Sequence, residues 1–177
     1  RGDLVMHISF RRLVAVVLLS WLTMSACDLL QHAGLFAQLW IDSKDAFLPP
    51  EQLFQRLPLG YLSFLLSTIL LTWVMLRIGV SGGWGGTVFG LKFGLLLSAA
   101  NVLGMASGFP VTGPLLVAIF FGGIAQYAIV AAIAGSGLAG RHLGWLTAKT
   151  IALVVVLVIA TVVLQQLGFA PAMQYTQ

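Results

Sequence analysis

The stretch Thr150-Ile-Ala-Leu-Val-Val-Val-Leu-Val-Ile-Ala-Thr-Val-Val-Leu-Gln-Gln-Leu167 decides the fold class. It carries no charge and is dominated by β-branched and other aliphatic residues, which lipid tolerates well. A helix needs about 20 apolar residues to cross a hydrocarbon core of about 30 Å, and a run of this length and composition is read as such a span. Four more runs of the same kind precede it. The chain is therefore expected to be an all-α, polytopic transmembrane helix bundle with five spans, at 13–36, 58–76, 87–106, 114–134 and 150–167.

Composition supports the same reading. Of 177 residues, 59% are hydrophobic and 8% charged, against about 25% charged in soluble domains. A small soluble chain has too much surface to hide so much apolar area. A membrane β-barrel would show alternating segments of about ten residues instead of continuous runs. The net charge of +4 comes from few residues with no basic stripe, so no nucleic-acid partner is expected. One cysteine excludes an intrachain disulfide framework and a CxxC site.

Residues 1–177 read as a single transmembrane domain. Residues 1–5 precede Met6 and are taken as an extension foreign to the protein. Met24-Ser25-Ala26-Cys27, after Arg11 and Arg12, imitates a lipoprotein signal, but the apolar character continues through Leu35 and Phe36, so an uncleaved first helix is expected. Residues 41–57 hold Asp42, Lys44, Asp45, Glu51 and Arg56 and form an outer loop. Within it Pro49-Pro50 starts a short interfacial helix, with Leu53, Phe54 and Leu57 on one side. The glycines from Gly79 to Gly86 read as a link, and Gly108, Pro110 and Gly113 as a turn.

Charge then orients the bundle. With the N-terminus inside, Arg1, Arg11, Arg12, Arg77, Arg141 and Lys149 lie inside, Lys92 snorkels to the same side, and only Lys44 and Arg56 lie outside. Five spans place the C-terminus outside. Trp40 and Tyr61 fall near the outer boundary, where amphipathic rings are favoured.

Two glycine motifs imitate nucleotide sites. Gly135-Ser136-Gly137-Leu138-Ala139-Gly140 fits GxGxxG, but a dinucleotide fold needs a preceding strand and an acid about 20 residues later. No Asp or Glu follows Glu51, so a flexible helix-ending loop is expected. The stretch from Gly85 to Lys92 misses the Walker spacing by one residue. Haem ligation fails on depth, since His7 and His142 belong to the inner side and His32 to the outer; the first two read as solvated interfacial residues.

Asp28 stands apart. A carboxylate inside a spanning helix costs about 2.5–3.5 kcal/mol on insertion scales and marks a functional site by default. His32, four residues on, shares its helical face and can donate to the carboxylate, which fixes the imidazole tautomer. Counting depth at 1.5 Å per residue brings Ser67, Asn101 and, slightly deeper, Gln126 toward the same level. Asp28, His32, Ser67, Asn101 and Gln126 are thus the candidate ligand-binding set, in a polar pocket open to the outer side. The rival reading is structural, with Asp28 and His32 tying helices together. Gly90, Gly94, Ser98, Gly104 and Gly108 recur at three- and four-residue spacing on the third span, as candidate helix-packing residues along with Asn101.

Asp28-Leu-Leu-Gln-His32-Ala-Gly-Leu, Gly90-Leu-Lys-Phe-Gly94-Leu and Phe121-Gly-Gly-Ile-Ala-Gln126 resemble a group of small bacterial inner-membrane proteins of four or five helices with uncharacterised function. The resemblance spans about residues 20–140, leaves out the last span, and implies the bacterial inner membrane without supplying an activity. Three functions follow in order. The first is a protein that binds or transports a small ligand, ion or lipid at Asp28 and His32. The second is a non-catalytic subunit or assembly factor, with a homo-oligomer or a heteromeric membrane partner. The third is an intramembrane enzyme, which has only Cys27 as a nearby nucleophile, pointing about 100° away from Asp28. No cofactor or metal, and no catalytic residue, follows from the sequence.

Overall fold

The protein was analysed as a computed structural model that describes residues 8–140 and 142–169. Residues 1–5, His7 and Arg141 lie outside that range. Among the described residues six α-helices follow one another: α1 (Phe10–Leu30), α2 (Ala37–Asp42), α3 (Pro50–Arg77), α4 (Gly83–Gly108), α5 (Gly113–Leu138) and α6 (Leu143–Gln166). A π-helical turn (Gln31–Leu35) extends α1, and a single 3-10 turn (Lys44–Ala46) follows α2. No strand occurs among the described residues. Among the described residues five helices are long and apolar enough to cross a membrane: α1 with its π turn, α3, α4, α5 and α6.

Every span begins earlier than the apolar runs predict, and the reasons differ. Helix α3 takes in Glu51 and Arg56, so 50–57 is its first two turns and not a separate surface helix. Pro58 sits inside it, where its missing N–H leaves the Phe54 carbonyl without the usual helical donor. The expected boundary position of Tyr61 moves with it, about 16 Å into the helix. Helix α6 starts at Leu143 and includes Lys149, whose ammonium lies 4.9 Å from the centre of the Trp145 ring.

The glycines fold differently from the expected loops. Gly83 to Gly86 belong to α4, and Gly135 to Leu138 to α5, where Gly86, Gly135 and Gly137 are buried. Gly82 donates its N–H to the Gly135 carbonyl at 2.7 Å with φ at +82°, a backbone that favours glycine. The GxGxxG stretch is therefore a close helix contact, and only Ala139 and Gly140 turn.

Helix α5 is the hub. It packs most extensively on α4 and also holds α1, while α1 binds α6 and α3. A Cβ on Gly86 would strike the Ala131 carbonyl, one on Gly90 would lie 2.8 Å from the Ala128 Cα, and one on Gly94 3.1 Å from the Ile124 Cα. Small residues thus let the two backbones nearly touch. The core beside this seam joins Val16, Met24, Leu71, Met75, Val130, Ala131, Ala134 and Leu138. The end of the bundle that carries Ser9 is called proximal here, and the end that carries His32 distal.

Three glutamine amides supply polar ties within the bundle. Gln126 of α5 donates to the Met24 carbonyl at 2.9 Å, Gln31 to the Gly122 carbonyl at 3.1 Å, and Gln165 of α6 to the Ala33 carbonyl at 3.0 Å. At the proximal end Arg12 Nε donates to the Gly137 carbonyl at 2.9 Å, placing a cation on the last turn of α5. Trp21 Nε1 donates to the Tyr61 carbonyl at 2.9 Å and joins α1 to α3.

Candidate functional site

The Asp28–His32 pair forms within one helix face. Asp28 Oδ1 lies 3.0 Å from His32 Nδ1, which is also 3.1 Å from the Asp28 carbonyl oxygen. An ionised carboxylate only accepts, so Nδ1 carries a hydrogen and donates. The side chains are 26% and 42% exposed respectively, so the pair lies on a flank of the bundle and not in its core.

The π turn begins one residue before His32, and such turns recur at functional sites. The chain then folds back over the pair. Trp40 of α2 lies 4.4 Å from the His32 ring, centre to centre, and Phe47 lies 4.9 Å from Trp40 on its own account. Ser43 Oγ is 2.7 Å from Thr112 Oγ1, which pins this connection to the start of α5.

The other predicted ligands do not converge on the pair. Ser67 fails on depth. Leu13 and Val17 of α1 share a crevice with Ile69 and Leu65 of α3, and Trp21 meets Tyr61. That antiparallel register sets Ser67 level with Ala15, roughly 20 Å along the axis from Asp28. The error came from starting α3 eight residues late. Ser67 instead faces the Tyr127 phenol.

Asn101 fails on rotation. The Gly86–Ala131 and Gly94–Ile124 approaches carry its level close to that of His32, but its side chain is exposed on α4, which packs chiefly on α5. Gln126 is only 8% exposed, and its amide is engaged with Met24, one turn proximal of Asp28. The seam also divides. Gly90, Gly94 and Ser98 are buried at α5, whereas Gly104 and Gly108 meet nothing within 4 Å.

Asp28 and His32 lie on a partly open flank. Two crevices of about 310 and 370 Å³ lie beside the proximal half of α1, with walls almost wholly apolar, and neither is lined by any of the five predicted ligands. Sequence reasoning also passed over Gln31, Gln165 and the packing of Trp40 on His32. The amides carried a usable signal, being polar groups in or beside apolar runs; the ring contact depends on the backward fold at 36–47 and left none.

Among the described residues, no three His, Cys, Asp or Glu side chains form a metal-binding group. Cys27 is buried within α1 at 3% exposure. His142 is exposed at the start of α6.

Fold and spans together define a polytopic α-helical protein with five membrane-competent helices. No protein-family model matches the chain, and neither curated proteins nor solved structures give a match.

Proposed function

We propose that this chain is a small membrane protein that binds or transports a small ligand, ion or lipid at Asp28 and His32. One observation carries the reading: an ionisable pair, partly open on the flank of a spanning helix, is held in contact at 3.0 Å with Trp40 packed on the imidazole. Such a pair is expensive to place in lipid unless something polar meets it. Gln31 and Gln165, which brace the same region, support a site kept in fixed geometry.

The charges support a proximal end facing the cytoplasm. Arg11, Arg12, Arg77 and Lys149 gather there, against Lys44 and Arg56 at the distal end. The resemblance to small bacterial proteins supports the inner membrane as the location.

Asp28→Asn keeps shape and removes charge. The expected result is a thermal midpoint that rises for wild type, and not for Asp28→Asn, with at least one member of a panel of metabolites, ions and lipids. Identical responses of both proteins across the panel would refute the site.

A second reading, that of a membrane subunit, rests on α4. Its distal half leaves Asn101, Gly104 and Gly108 exposed, a polar and small-residue face suited to another helix. Purification in mild detergent is then expected to retain a stoichiometric partner or a second copy, and Asn101→Leu to weaken its retention. A monodisperse single copy would count against this reading.

A further inference from the structure

The identity of the ligand can be narrowed from the surroundings of Asp28, granting the binding reading above. Leu13, Val14, Val17 and Leu18 line the α1 side of the crevice shared with α3, and Trp21 reaches α3 just beyond them. Ser25, Asp28 and His32 continue that stripe at three- and four-residue spacing, so the carboxylate points toward the α3 side. Distal of Trp21, however, α3 leaves α1. Residues 51–63 of α3 are all exposed, with Phe54 at 73% and Leu59 at 65%. Asp28 therefore stands in a gap between two spanning helices, where the α3 stripe that continues Tyr61 toward α1 (Phe54, Leu57 and Pro58) is apolar, and a ligand reaches it sideways from lipid.

Charge selects the headgroup. Asp28 pairs with His32 through Oδ1 and with no lysine or arginine among the described residues, so its second carboxylate oxygen is left without a cationic side chain. An anionic headgroup is repelled. A divalent ion finds too few ligands. A quaternary ammonium would need an open aromatic face, and the Trp40 ring is already taken up by His32 and Phe47. An N–H donor can instead hydrogen-bond to the second carboxylate oxygen, a charge-assisted contact that is strengthened away from water.

We propose that the Asp28–His32 site binds a lipid-borne primary ammonium, admitted from the bilayer between α1 and the distal half of α3. The ammonium sits on Asp28 while the alkyl chains lie along the apolar flanks of the gap.

The test compares the full chain in phosphatidylcholine nanodiscs containing equal small fractions of phosphatidylethanolamine, its N,N-dimethyl derivative or phosphatidylglycerol. Bound lipid is read by native mass spectrometry and stability by thermal midpoint. Expected is at least a tenfold preference for phosphatidylethanolamine over phosphatidylglycerol, with the dimethyl derivative, which keeps a single N–H, between the two; the preference is lost in Asp28→Asn and kept in Asp28→Glu. Asp28-dependent binding of phosphatidylglycerol, or equal binding of the methylated lipid, would overturn the headgroup assignment while leaving the site intact. Soluble ethanolamine acting as strongly as the lipid would overturn the lateral, lipid-borne route. Folded Asp28→Asn, checked by circular dichroism, that matches wild type in every arm would remove the site itself. Should Asp28→Asn not fold, the methylation series on wild type alone decides: no fall in binding with methylation overturns the proposal.

Discussion

Gly90→Leu is expected to abolish the native α4–α5 pairing and to lower the thermal midpoint more than any other single change considered for this protein. A Cβ at Gly90 already comes within 2.8 Å of the Ala128 Cα and 2.7 Å of the Ala131 Cβ. The obstruction is largely backbone, so no side chain can swing aside. Overpacking usually costs about 1–3 kcal/mol where neighbours adjust. Here the helices must separate, giving up the most extensive helix pairing in the bundle. Gly104→Leu is the matched control, since a Cβ there meets nothing within 4 Å. Its effect should stay within about 0.5 kcal/mol. Thermal unfolding in one detergent, followed by circular dichroism, compares the two. Similar midpoints would refute the seam.

The second large effect is expected at Gln126. Its amide is buried and tied to the Met24 carbonyl, so Gln126→Ala loses both an interhelical hydrogen bond and the volume of the side chain. Together these should cost about 2–3 kcal/mol. Gln126→Leu restores most of the volume, so only the hydrogen bond is lost, at about 0.6 kcal/mol on average in a membrane setting. The measurement is again the unfolding midpoint, with the alanine variant expected well below the leucine variant. A role in ligand binding would produce a different pattern. Gln126→Leu would then erase the Asp28-dependent ligand response while hardly altering stability.

These two residues also show what could be read from the sequence. Five spans were legible because lipid demands continuous apolar runs, and a run such as 150–167 has no soluble explanation. The ends were less legible. Glu51 and Arg56 hid two turns of α3, because charge at a helix end resembles a loop. Gly83 to Gly86 and Gly135 to Gly137 hid helical turns for the opposite reason. Glycine in an isolated sequence signals a break, whereas between two membrane helices it signals contact. Asp28 and His32 were legible as a pair because their four-residue spacing is a property of one helix. Asn101 was placed at the right depth and on the wrong face, since its rotation is set by α5. Ser67 was misplaced by the hidden start of α3. Local spacing thus transmits well through sequence, while relations between helices depend on register and rotation that no single run encodes.

The wide turn at 31–35 has one further consequence. Its Phe36 N–H reaches five residues back to Gln31, one more than in a regular helix. The turn therefore holds a surplus residue, and the chain beyond it leaves about 100° out of phase with α1. Shortening the chain by one residue there could preserve an unbroken helix and still scramble the cover over His32. Insertions and deletions, which membrane loops absorb readily, would at this point change the orientation of everything up to the start of α3.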